Sequence, residues 1–127
     1  MTGFIICHKK MASELIETAA AVIGHKKGLF AFSNENISSE ELLKQLQQTI
    51  QEHQIPTDQL IIMVDLRGGN CWAVAKKFSH GNGKIPVLSG VNLPMIFSFL
   101  TKSYNTTAEE LAKVLETDAH RGVFLEF

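Results

Sequence analysis

The sequence predicts an α/β fold, a mostly parallel sheet covered by helices on both faces. Three observations predict it. Short, almost wholly apolar runs recur along the chain, as strands buried on both faces require. Stretches with a helical apolar period separate those runs. The two kinds of segment alternate, and parallel strands need just such crossover helices. With 127 residues, no internal repeat and no linker-like tract, the chain is expected to form one domain spanning residues 1–127.

The first strand is read at Gly3–His8, GFIICH, where Phe4, Ile5, Ile6 and Cys7 are apolar in succession. From Met11 the period changes, and Ala12, Leu15, Ile16, Ala19, Val22 and Ile23 mark one helical face up to Gly24. Gly28–Ser33, GLFAFS, is the second strand. Ser38 and Glu41 have capping-box spacing, and Leu42, Leu43, Leu46 and Ile50 follow as a helical stripe. Leu60–Asp65, LIIMVD, is the strongest strand signal, broken by Gly68-Gly69-Asn70 before a helical segment over Cys71–Phe78. After the polar loop SHGNGK, Ile85–Gly90 forms a fourth strand. Asn92 and Pro94 then suit the start of a helix running to Leu100. Thr107 and Glu110 repeat the capping-box spacing ahead of Leu111, Val114 and Leu115. Gly122–Phe127, GVFLEF, reads as a terminal strand in search of a sheet edge.

Composition excludes several functions. Twelve Lys and Arg against thirteen Asp and Glu leave no clustered positive charge for nucleic acid or an anionic membrane. Two cysteines make no disulfide scaffold, and CxxC zinc pairs are missing. His25, His53, His80 and His120 show no metal-ligand spacing and read as surface residues, so no metal is expected. No G-x-G-x-x-G or P-loop string is present, and no cofactor is expected. Without a signal peptide or a roughly 20-residue apolar span, a cytoplasmic location is expected.

Chemistry is expected where open α/β sheets bind ligands, beyond the carboxyl ends of the strands. The first strand ends at His8 and the third at Asp65, so neighbouring strands would set the two side by side. A carboxylate on one ring nitrogen fixes the imidazole tautomer and leaves the other nitrogen nucleophilic. Gly68, Gly69, Asn70 and Cys71 open the next helix, whose free N–H groups and dipole can cradle a phosphate. Together they suggest phosphoryl transfer through a phosphohistidine on His8, with Asp65 as its orienting partner. The bland alternatives are an exposed histidine, a turn aspartate and a plain glycine turn. Cys7 and Cys71 read more simply as small buried hydrophobes than as a redox pair.

At these residues the sequence resembles the IIA component of the mannose-type sugar phosphotransferase system. The likeness spans nearly the whole chain. It rests on the strand ending in His8, on VDLRGGN (Val64–Asn70), similar to VD-x-x-GGS, and on SGVNLPM (Ser89–Met95), similar to GVN-[IL]-PM. The resemblance implies a flavodoxin-like, doubly wound, three-layer α/β/α fold with a C-terminal antiparallel strand exchanged within a homodimer. It implies that His8, through Nε2, takes a phosphoryl group from the phosphocarrier HPr and gives it to a IIB component. Membrane components IIC and IID would be met only through IIB. Departures from the pattern are Cys7 for Thr or Ser, Lys9 for Gly, Asn70 for Ser and Cys71 for Pro. They motivate a second expectation, a transfer-impaired regulatory module that senses phosphotransferase flux. A flavin-type ligand binder is a third, and a receiver domain is excluded because no acidic cluster closes the first strand.

Overall fold

A computed structural model describes every residue from Met1 to Phe127. Strands β1 (Thr2–Cys7), β2 (Leu29–Ser33), β3 (Leu60–Val64) and β4 (Val87–Ser89) form one parallel sheet in the order β2-β1-β3-β4. Helices α1 (Met11–Ile23), α2 (Ser39–Glu52), α3 (Asn70–Gly81), α4 (Leu93–Lys102) and α5 (Ala108–Arg121) cover it. A short 3₁₀ turn, Thr57–Gln59, leads into β3. The strand order reverses between β1 and β3, the neighbouring pair that the site argument requires.

Each strand feeds two cores. Ile5 and Cys7 of β1 and Ile61 and Met63 of β3 pack with α1, α4 and α5, through residues such as Ile16, Phe99 and Leu115. The alternate residues Phe4, Ile6, Leu60, Ile62 and Val64 pack with α2 and α3, through Leu42, Leu46, Val74 and Phe78. This explains why β1 and β3 read as unbroken apolar runs: neither face meets water. It also places Cys7 and Cys71 in opposite layers, both as free thiols.

Helix ends follow their capping chemistry. Ser38 accepts from the Glu41 N–H and Asn92 from the Met95 N–H. Thr107 and Glu110 complete both arms of a capping box. Lys76 and Lys77 lie inside α3, not at its end as cations suited to the dipole would.

One expected element is not formed within the single chain. The segment Gly122–Phe127 forms no antiparallel strand: Gly122 closes α5, and Val123–Phe127 carry no regular structure. A strand exists only through a ladder, and the sheet edge beside Val123 is the three-residue β4, too short to template one within a single chain. Val123, Phe124, Leu125 and Phe127 consequently stand exposed.

Candidate functional site

Two strand-to-helix junctions converge beyond the carboxyl ends of β1 and β3. Parallel register pairs Ile6 with Val64, so both strands end together and release His8 and Asp65 at the same level. Asp65 Oδ2 accepts two hydrogen bonds from one residue. The His8 backbone N–H donates at 2.8 Å and ring Nδ1 lies at 2.7 Å. The first fixes the backbone and the second fixes the ring.

Burial pushes the Asp65 carboxyl up. The backbone and ring hydrogen bonds from His8, with its charge, outweigh that and hold it below the ordinary carboxylate value. Asp65 is therefore a carboxylate and can only accept. The ring nitrogen facing it carries the proton, so in the neutral ring the lone pair is on Nε2. His8 keeps 47% of its side chain exposed while Asp65 keeps 10%. The arrangement is an anchored ring that presents one nucleophilic nitrogen to solvent.

The turn after β3 supplies the opposite wall. Gly69 N–H donates to the Leu66 carbonyl at 3.3 Å, and Gly68, third in that turn, has φ +84°. A side chain on Gly68 would meet nothing within 4 Å, so the glycine serves the backbone bend. Gly69 is different. A Cβ there would lie 3.6 Å from His8 Cε1, so its bare backbone gives room beside the ring. Gly69 caps α3 with extended backbone, and the first N–H groups of that helix have no intrahelical acceptor.

Cys71 and Asn70 complete the set. Cys71 is fully buried, with Sγ 4.0 Å from His8 Nδ1, and burial followed by the Asp65 charge pushes its thiol up to about 11. Cys7 is raised further, to about 12, by burial first and the Asp65 charge second. Both are therefore thiols near neutral pH and poor nucleophiles. Asn70 is the first residue of α3 rather than its cap, and its Oδ1 accepts from the Ser39 hydroxyl at 2.9 Å. That leaves its Nδ2 as the side-chain donor. The Ser39 contact had no signal in the sequence, because it joins residues 31 apart.

Thus His8, Asp65, Gly69 and Cys71 meet, Gly68 shapes the turn, and Asn70 sits at the helix start tied to α2. One potential ligand atom each from His8, Asp65 and Cys71 lies within 4.8 Å of the others, a constellation that residue spacing does not reveal. Lys9 bends the chain after His8 with φ +49°, a left-handed backbone suited to glycine. The largest cavity, about 780 Å³ beside β4, is lined by Arg67, Trp72, Lys76 and Asn92 but by neither His8 nor Asp65. The histidine stands half exposed, outside that cavity.

Residues 4–116 match the family model described as the PTS system fructose IIA component, EIIA-man. The chain belongs to this family. This IIA component also shares its fold with solved structures. Component EIIA of the phosphotransferase system from Streptococcus agalactiae superposes with TM-score 0.86 at 22% identity, covering 98% of this chain and 95% of that one. The mannose/sorbose-specific IIA subunit from Enterococcus faecalis gives 0.82 at 20% identity, with 99% and 94% covered. A IIA protein associated with the fucose utilization operon of Streptococcus pneumoniae gives 0.81 at 17% identity, with 98% and 91% covered. No curated protein matches by sequence. IIA components in general work with HPr and a IIB component. No helix of this one is long and apolar enough to cross a membrane.

Proposed function

We propose that this IIA component is a phosphoryl carrier of a sugar phosphotransferase system, acting through a phosphohistidine at His8 Nε2. The observation that carries the reading is the pair of bonds, 2.7 and 2.8 Å, by which one Asp65 oxygen holds both the ring and the backbone of His8. The Nε2 lone pair attacks the phosphorus of phospho-HPr. As the Nε2–P bond forms, the P–N bond to the donor imidazole breaks and its electron pair stays on the donor nitrogen. The ring becomes cationic with its proton on Nδ1, and the Asp65 carboxylate stabilises that charge. Free N–H groups at the start of α3, around Gly69, Asn70 and Cys71, solvate the phosphoryl oxygens. Onward transfer to a IIB side chain reverses the same steps.

The protein works in the cytoplasm and reaches the membrane components IIC and IID only through IIB. It works as a homodimer, a reading supported by the exposed apolar run Val123–Leu125 and Phe127 beside the short free edge of β4. Analytical ultracentrifugation is expected to find a dimer that deletion of residues 123–127 converts to monomer. A monomeric full-length chain refutes the dimer.

Incubation with phospho-HPr tests the carrier reading. One acid-labile phosphoryl group per chain is expected, together with its loss to a IIB component. His8→Ala must abolish the label while leaving the fold intact. A label that survives His8→Ala, or a folded wild type that never accepts one, overturns the reading.

A further inference from the structure

The groups around His8 are also a ligand set. We propose that His8, Asp65 and Cys71 form a three-ligand site for a thiophilic divalent cation of the zinc class, its fourth position open to solvent. Imidazole nitrogen, carboxylate oxygen and thiolate sulfur are the donors zinc takes, and three protein ligands with one open position is a common arrangement.

Two of the three ligand-atom separations are near those needed, and the third, from the Asp65 carboxylate to Cys71 Sγ, is within 4.8 Å. His8 Nδ1 lies 2.7 Å from Asp65 Oδ2 and 4.0 Å from Cys71 Sγ. A tetrahedral zinc sets nitrogen and oxygen about 3.3 Å apart and nitrogen and sulfur about 3.6 Å apart. Opening the first pair and closing the second by about half an ångström each brings those two pairs to that geometry.

A second observation points the same way. Asp65 Oδ1 is buried without any hydrogen-bond partner, on a side chain that is only 10% exposed. A buried carboxylate oxygen left unpaired is rare in folded proteins and calls for an interaction. A cation on this carboxylate neutralises the charge that the unpaired oxygen shares, which a phosphate, being negative itself, cannot do.

Binding balances simply. The Cys71 thiol gives its proton to water and binds as thiolate. The neutral His8 ring exchanges its proton with solvent from Nδ1 to Nε2 and binds through Nδ1. Nε2 then holds a proton where a phosphoryl acceptor needs a lone pair. The bound ion therefore prevents phosphorylation of His8, a consequence that rests on the carrier reading; the site itself does not.

Cobalt(II), added to the full-length reduced protein, is the probe. One equivalent is expected to raise a near-ultraviolet thiolate-to-cobalt band and the visible bands of four-coordinate cobalt, and zinc should displace both. Cys71→Ser and Cys71→Ala should each lose the thiolate band and weaken zinc binding by about 100-fold or more. Cys7→Ser should keep the band, and circular dichroism checks that each variant is folded. Wild-type protein without the band, or a band that survives both Cys71 substitutions, overturns the site. Zinc should stop labelling of wild type by phospho-HPr, and chelation should restore it. Metal-free protein that accepts no label refutes the carrier reading and leaves the site standing. Labelling of the zinc-loaded protein at the metal-free rate refutes the blockade alone.

Discussion

Replacing Asp65 by Asn removes one charge and almost no volume, so it isolates what the carboxylate does for His8. In the wild type, Oδ2 accepts from both the His8 backbone N–H and Nδ1, at 2.8 and 2.7 Å. The amide can keep both bonds only by pointing its oxygen at His8. Its NH₂ then occupies the place of Oδ1, a buried atom without a partner. One unpaired buried atom replaces another, so urea unfolding should change by less than the roughly 1–3 kcal/mol that a newly unpaired group costs. The charge that balanced the cationic phosphohistidine ring is also gone. A charge-assisted hydrogen bond contributes about 1.5–3 kcal/mol, so transfer slows about 10- to 150-fold. If the amide turns the other way, its NH₂ donates to Nδ1 and the ring proton moves to Nε2. The nucleophile is then blocked, and the loss approaches the roughly 10⁴-fold seen when a hydrolase triad carboxylate becomes an amide. Rapid-quench measurement of single-turnover transfer from phospho-HPr decides between these outcomes. A folded Asp65→Asn variant within about threefold of wild type would mean that Asp65 does not orient the ring, and the proposed relay would fail with it.

Lys9→Gly is expected to stabilise the fold. Lysine holds φ +49° after His8, a conformation that costs an L-residue about 1–2 kcal/mol, partly offset by the greater unfolded-state freedom of glycine. A net gain of about 0.5–1 kcal/mol in urea unfolding is expected, and a loss would contradict the strain argument. The two turn glycines should separate cleanly. Gly68→Ala, at φ +84° in open space, should cost about 1–2 kcal/mol of stability. Gly69→Ala, with extended backbone and a Cβ 3.6 Å from His8 Cε1, should stay within about 1 kcal/mol of wild type but slow phosphoryl acceptance. Acid stability should depend on Asp118. The hydrogen bond from Lys102, then that from Ser98, holds its carboxyl below the ordinary value despite desolvation. Its contribution is present above the unfolded value of 3.8 and is lost as pH falls through the lower folded value. Asp118→Asn should therefore narrow the drop in urea midpoint between pH 5 and pH 3, and an unchanged pH profile would contradict it.

Some of this molecule was plain in its sequence and some was not, and the division has physical causes. Local chemistry was legible. Ser38, Asn92 and Thr107 announce their helices because capping is a contact within three residues. Phe4–Cys7 and Leu60–Val64 announce a doubly covered sheet because both faces must be apolar. His8 and Asp65 could be paired in advance because neighbouring parallel strands end together. The failures involve partners distant in sequence or outside the chain. GVFLEF has strand composition, yet a strand needs an edge, and the three residues of β4 do not supply one. Asn70 follows the Gly69 cap, and its side chain accepts from Ser39, a contact between residues 31 apart that no local pattern announces.

The same distinction explains why the candidate site has two chemical faces. Spacing along the chain shows no metal pattern because the ligand atoms of His8, Asp65 and Cys71 come from junctions 57 and 63 residues apart. The parallel sheet brings those junctions together for one purpose, a ring held by a carboxylate at the start of a helix. Placing a thiol at the second residue of that helix adds a soft donor to the pair. The ring then has two competing claims on it. A phosphoryl group needs Nε2 free and Nδ1 protonated toward Asp65, whereas a cation on Nδ1 needs the reverse tautomer. Because Asp65 Oδ2 contacts both the backbone and the ring of His8, either ligand acts on the same oxygen. Occupancy by one must therefore weaken the other by an equal free energy. Phosphorylated protein should bind cobalt as much more weakly as cobalt-loaded protein binds its phosphoryl group. Cobalt binding equally tight before and after phosphorylation would show that the two events do not share His8.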